Sequence, residues 1–191
     1  MGSCCAKLVK IFKNGDKDGI EMLYSQTNFV EQIQIDTYGK DVHTAGNIVS
    51  GNGTAIAATK VEQDAAYWEV KVVEAGPFSV GLVKNFDPLS LNCQLFDIKD
   101  AVGIQSSSKK LQFEPEDIIG VALDQNDIPM LKFYKNGEVL NAFAVKTIQG
   151  VYMPAVSVEL GAKVEVIFDE SRWQNECPRS CLPLIKSADM I

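Results

Sequence analysis

Between residues 32 and 168 the chain returns again and again to one pattern, an apolar side chain at every second position. Gln32-Ile33-Gln34-Ile35-Asp36 alternates in this way, and so does Tyr67-Trp68-Glu69-Val70-Lys71-Val72. In a strand, side chains i and i+2 share a face, so Trp68, Val70 and Val72 fall on one side and Glu69 and Lys71 on the other. The pattern predicts strands with one buried and one solvated face. A further strand is predicted at Phe78-Ser79-Val80-Gly81-Leu82, after the turn Ala75-Gly76-Pro77. Others follow at 118–124, 131–135, 151–158 and 164–168.

The best local signal is Asn136-Gly137, set between two strand-like runs. Both residue types tolerate positive φ, as a type I′ turn requires, so a tight hairpin is predicted there. Helical periodicity is weak throughout this stretch. Many short strands without intervening helices argue for an antiparallel β-sandwich or barrel. Residues 85–110 form the longest irregular segment. Residues 1–31 read as an N-terminal arm, 32–170 as the β-sandwich, and 171–191 as a C-terminal tail with Pro178 and Pro183.

Composition narrows the function more than the fold. The chain has 191 residues, enough for one domain with short extensions, and its net charge is −7. Residues 1–17 hold Lys7, Lys10, Lys13 and Lys17 against Asp16 alone, a surplus of three positive charges that leaves −10 for the remainder. An acidic body repels phosphate backbones, so nucleic acid is excluded as a partner. No apolar run approaches the ~20 residues of a membrane-spanning helix, and no secretory leader opens the chain. Cys4, Cys5, Cys93, Cys177 and Cys181 do not form a disulfide framework and suit a reducing compartment.

Catalytic and metal-binding constellations fail on stock. His43 is the only histidine, on a predicted strand, and no nucleophile or metalloprotease motif is present. Cys177 and Cys181 lack the second ligand pair that a structural zinc site needs. Asn14, Asp16 and Asp18 imitate the start of a calcium loop, but Ser25 occupies the position where a bidentate glutamate is required. Gly51-Asn52-Gly53-Thr54 is a turn, since no Gly-Lys-Ser/Thr follows to cradle phosphate. No cofactor is expected.

Several of these blocks together resemble the SPRY (B30.2-like) family. YWEVKV (67–72) is similar to its W-E-V strand, and FSVGLV (78–83) to the strand that follows. GVALDQNDIPMLKFYKNGEVL (120–140) resembles the family's Asn-Gly hairpin, VYMPAVSV (151–158) its Tyr-Pro strand, and VEVIF (164–168) its closing strand. QIDTYGKDVHTAG (34–46) is similar to its opening strand. The resemblance implies two curved antiparallel sheets packed face to face, of concanavalin-like jelly-roll type. It also implies a surface for a protein or peptide ligand, made by loops at one end, and no catalytic machinery. On that basis His43, Asn85, Phe86, Leu89, Asn92, Leu95, Glu159 and Leu160 are the expected partner-binding residues. Phe86 and Leu95 each have two readings, an apolar hot spot for a partner or a plug for the end of the sandwich.

The N-terminus carries the remaining functional motif. Gly2, after removal of Met1, suits myristoylation, although Ala6 stands where the acceptor pattern has Ser or Thr. Cys4 and Cys5 lie where a membrane-apposed thiol is palmitoylated. One myristoyl chain binds a bilayer only marginally, so a second acyl chain and Lys7, Lys10 and Lys13 would secure it. The expectation is an adaptor at the cytoplasmic face of a membrane. Its rivals are a soluble SPRY subunit of a larger assembly and, further off, a carbohydrate-binding sandwich.

Overall fold

A computed structural model describes residues 33–57, 59–107 and 111–185. Its strands, in chain order, are β1 (Thr37–Tyr38), β2 (Val42–Ala45), β3 (Ile48–Gly51), β4 (Gly53–Ile56), β5 (Ala65–Glu74), β6 (Phe78–Val83) and β7 (Val102–Gln105), then β8 (Ile118–Asp124), β9 (Met130–Lys135), β10 (Glu138–Val139), β11 (Val145–Lys146), β12 (Met153–Val158), β13 (Lys163–Ile167) and β14 (Leu182–Pro183). No α-helix occurs among the described residues; four short 3₁₀ turns do.

The strands form two sheets. The first has the order β1-β4-β12-β6-β7, and the second β10-β9-β8-β5-β13-β3-β2. All pairs along both paths are antiparallel. The fold is therefore the all-β, two-sheet sandwich that the alternation predicted. Trp68, Val70 and Val72 point inward from β5, as predicted, and meet Ile119, Val121, Leu131 and Phe133 in the shared core. Val80 and Val156 close the core from the opposite sheet.

Strong turn chemistry sets the hairpins. Asn136 and Gly137 take φ of 50° and 85°, the two left-handed residues that a type I′ turn needs. The Asn136 carboxamide oxygen accepts the Ile118 N–H at 2.7 Å, and its NH₂ donates to Asp117 Oδ1 at 2.7 Å. The predicted strand at 32–36 does not join a sheet where it is described. Ile33 and Ile35 are buried and Gln34 and Asp36 exposed, so the alternation holds. Its backbone is tied to a side chain, with Ile35 N–H donating to Asn47 Oδ1 at 2.8 Å, before Asp36 N–H reaches the Ile56 carbonyl of β4 at 3.2 Å.

One predicted face is corrected. Glu69 was expected on a solvated face, yet it is fully buried. Residues 170–185 run as a strap across the outside of the second sheet, and β14 pairs in parallel with Ala66 and Tyr67. Trp173 stands edge-on to Tyr67 at 4.8 Å, and its indole N–H donates to the Ile167 carbonyl. Glu69 accepts the backbone N–H groups of Gln174 and Asn175 at 2.7 and 2.9 Å. A buried carboxylate persists because its lone pairs are satisfied in this way. Burial, followed by the adjacent Glu69 charge, pushes the Tyr67 phenol far above its usual range.

The first sheet is covered on its outside too. Residues 86–101, predicted irregular, fold back over it through two 3₁₀ turns, Pro88–Asn92 and Leu95–Asp97, and then lead into β7. Leu91, Leu95 and Ile98 pack there on Ile56, Val83, Met153 and Ala155. Every residue of β4, β6 and β12 is consequently buried. With both broad faces of β4, β6 and β12 closed, the ends of these strands lead into the exposed rims.

Candidate functional site

The β6–β12 pairing defines two opposite rims. Phe78 opposes Val158 at one end, and Val83 opposes Met153 at the other, about 17 Å away at the usual strand rise. The expected binding residues divide between these ends. Glu159 and Leu160 follow β12 and lie at the first rim. Asn85 and Phe86 follow β6 and lie at the second. Leu89 is exposed on the covering segment between them.

The first rim gathers the larger share. Asn92 Oδ1 accepts the Lys40 N–H at 2.8 Å, and its NH₂ donates to the Leu89 carbonyl. Gln94 Nε2 donates to Asn52 Oδ1 at 3.3 Å and to the Val158 carbonyl at 3.5 Å. Thr54 Oγ1 donates to the Cys93 carbonyl at 2.7 Å. These bonds lash residues 92–94 to the turn between β3 and β4 and to the end of β12. Gly53 allows the close approach, since a Cβ there would sit 2.8 Å from the Leu91 carbonyl oxygen. His43 is exposed on the neighbouring edge strand, opposite Ser50.

Leu160 is the most exposed large apolar residue on this rim, at 84%. It sits with Gly161 in the turn between β12 and β13, which closes through Ala162 N–H to the Glu159 carbonyl at 3.0 Å. Leu160 has φ of 49° and Gly161 of 89°. A leucine in left-handed backbone costs about 1 kcal/mol relative to glycine. Its side chain is thus held outward, on strained backbone, at the end of two rigid strands.

Leu95 is fully buried on the outer face of the first sheet, so it is neither an exposed hot spot nor a plug for the end of the sandwich. Phe86 is half-buried against the same cluster. Sequence reasoning missed Gln94, which orders the rim. No signal marks it, because an isolated glutamine in an irregular stretch reads as solvated. Cys177 and Cys181 lie in the strap, with Cys177 Sγ donating to the Cys181 carbonyl and Cys181 Sγ to the Leu123 carbonyl. Among the described residues no group of His, Cys, Asp and Glu is placed to hold a metal ion. Gly2, Cys4, Cys5, Lys7, Lys10 and Lys13, and the calcium-loop look-alike at Asn14–Gly19, lie outside the described residues.

Two packed antiparallel sheets whose loops gather at two rims define an all-β sandwich. The model of the SPRY domain matches residues 65–171, over half of the chain. The chain belongs to the SPRY family, whose members are generally non-catalytic protein-interaction modules. Among solved structures it is similar to a human SPRY domain, at 20% identity and a TM-score of 0.54, covering 67% of this chain and 95% of that one. It is also similar to the TRIM65 PSpry domain, at 11% identity and a TM-score of 0.50, covering 71% and 92%. The SPRY domain of human HERC1 follows at 20% identity and a TM-score of 0.46, covering 72% and 90%. At these identities the likeness of the first two speaks for the fold alone. A search of curated proteins finds no match.

Proposed function

We propose that this SPRY domain is an adaptor that captures a protein or peptide partner on the first rim, through Leu160, Glu159, Asn92 and His43, and is held at the cytoplasmic face of a membrane by acyl chains on Gly2 and on Cys4 or Cys5. The observation that carries the reading is Leu160, an apolar side chain presented to solvent on strained backbone between β12 and β13. Strain kept at an exposed position is characteristic of binding sites, and an exposed aliphatic group is the kind of anchor that interfaces bury at their centre. Charge supports the tether. The acidic remainder of the chain is repelled by anionic lipid, while the lysines of residues 1–17 are attracted.

Two experiments test the two halves separately. Partners that co-purify with the full chain from its native cell should be lost with Leu160→Asp while the melting temperature holds; capture unchanged by this variant sinks the rim. Intact mass of the native protein should show myristate and palmitate, and Gly2→Ala should move the chain to the soluble fraction. An unmodified mass, or membrane association that survives Gly2→Ala, removes the tether and leaves the soluble-subunit reading.

A further inference from the structure

The second rim holds an open cleft of about 520 Å³, lined by Lys60, Lys84, Asn85, Phe86, Val151 and Met153. Its position is fixed by strong local structure. Val61 N–H donates to the Tyr152 carbonyl at 2.7 Å, which brings the segment carrying Lys60 against the entrance to β12. The Lys84 ammonium lies 5.7 Å from the centre of the Tyr152 ring and reaches the Gln149 carbonyl at 3.4 Å. Gly150 N–H donates to Gln125 Oε1, so the β8–β9 loop borders the same rim. That loop presents Ile128, 73% exposed, and the cleft's own Val151 is 42% exposed.

The chemistry of the cleft runs against that of the rest of the protein. Residues 18–191 carry −10, yet two ammonium groups flank an apolar floor here. Among the described residues, the ion pairs engage Lys71, Lys135, Lys163 and Arg172, and neither Lys60 nor Lys84 has a carboxylate partner. Asp100 is a nearby acid whose charge, after burial, raises the Tyr152 pKa, and none of the ion pairs among the described residues joins it to either lysine. Two cations with no carboxylate in ion-pair contact among the described residues, beside Phe86, Val151 and Met153, are complementary to an apolar side chain with carboxylates next to it.

We infer that this cleft is a second docking site, for an acidic peptide segment of a partner protein that inserts one aliphatic side chain between Phe86, Val151 and Met153 and sets flanking carboxylates against Lys60 and Lys84. An anionic bilayer fits less well, because the surrounding acidic surface would be pressed against it. The inference is independent of the first rim. Together the two sites, at opposite ends of one rigid sandwich, make the domain a bridge between two ligands.

The test is fluorescence anisotropy of the full-length protein with a labelled eight-residue peptide bearing one leucine among aspartates. Saturable binding is expected, weakened about tenfold or more by Lys60→Glu with Lys84→Glu, by asparagines in place of the aspartates, or by alanine in place of the leucine. Lys60→Gln with Lys84→Gln gives a milder loss and guards against misfolding, which circular dichroism monitors. Leu160→Asp should leave this binding unchanged. Equal affinity for the asparagine peptide, no saturation, or indifference to both lysine pairs overturns the inference. So does binding that appears only once residues 186–191 are deleted, which would make this chain's own segment the occupant. Lysine-dependent binding to phosphatidylserine vesicles without peptide binding would reassign the pair to a membrane.

Discussion

The Glu69 carboxylate accepts both the backbone N–H and the side-chain NH₂ of Asn175, at 2.9 and 3.0 Å, across 106 positions of sequence. Together with the Gln174 N–H and the Tyr67 hydroxyl, this makes one buried acid the clasp of the C-terminal strap. Glu69→Gln keeps the shape but turns one acceptor into a donor facing N–H groups. The cost should be about 1–3 kcal/mol. Thermal unfolding reads the loss, and hydrogen exchange should quicken at the Gln174 and Asn175 amides while β8 and β9 stay protected.

Gly120 lies beneath the ring of Tyr67. A Cβ there would come 2.5 Å from the phenolic oxygen, and the ring is buried, so it has little freedom to retreat. Gly120→Ala should destabilise the domain by about 1–3 kcal/mol, as overpacking does. Chemical denaturation measures it; a neutral result would show that the Tyr67–Glu69 bond yields easily.

Leu160 and stability should part company. Leu160→Asn relieves left-handed strain and should raise stability by up to about 1 kcal/mol, while the apolar contact is lost. A variant that melts higher but no longer captures the partner is the expected outcome.

Asp117 confers a pH dependence. Partial burial pushes its carboxyl up, but hydrogen bonds from Lys135, the Glu114 amide and Asn136 outweigh this and hold it below the ordinary 3.8. A depressed folded pKa stabilises above the unfolded value and loses that contribution as pH falls through the folded one. The stability supplied by this acid should therefore be complete above pH ~5 and fade below pH ~4. Asp117→Asn should flatten that part of the acid-unfolding profile.

The described cysteines should differ in reactivity. Cys93 is exposed, whereas Cys181 is buried, and burial pushes its thiol up to about 11. Since the thiolate is the nucleophile, alkylation at pH 8 followed by peptide mass mapping should mark Cys93 in the native protein and Cys181 only after unfolding.

The sandwich itself was readable because its central strands combine two-residue alternation with decisive turn residues. β8 matches its predicted bounds, and Asn136-Gly137 closes the expected hairpin. The covering layers were not readable. Leu91, Leu95 and Ile98 show no strand period, and residues 171–185 place few apolar groups on any regular face. Without those layers in view, Glu69 reads as solvated. The rim was half legible, for a topological reason. β6 and β12 are antiparallel neighbours, so the loops that follow them leave at opposite ends. Asn85–Phe86 and Glu159–Leu160 look equivalent in sequence and are separated by the length of a strand.

The strap also imposes an order on the birth of the molecule. A chain emerging N-terminus first completes β5 a hundred residues before Gln174 exists. Until then Tyr67 and the charged Glu69 stand on an open sheet face whose seal has not been made. A sandwich formed before the strap docks would present that acidic and aromatic strip to solvent, so the clasp couples burial of Glu69 to the docking of residues 170–185.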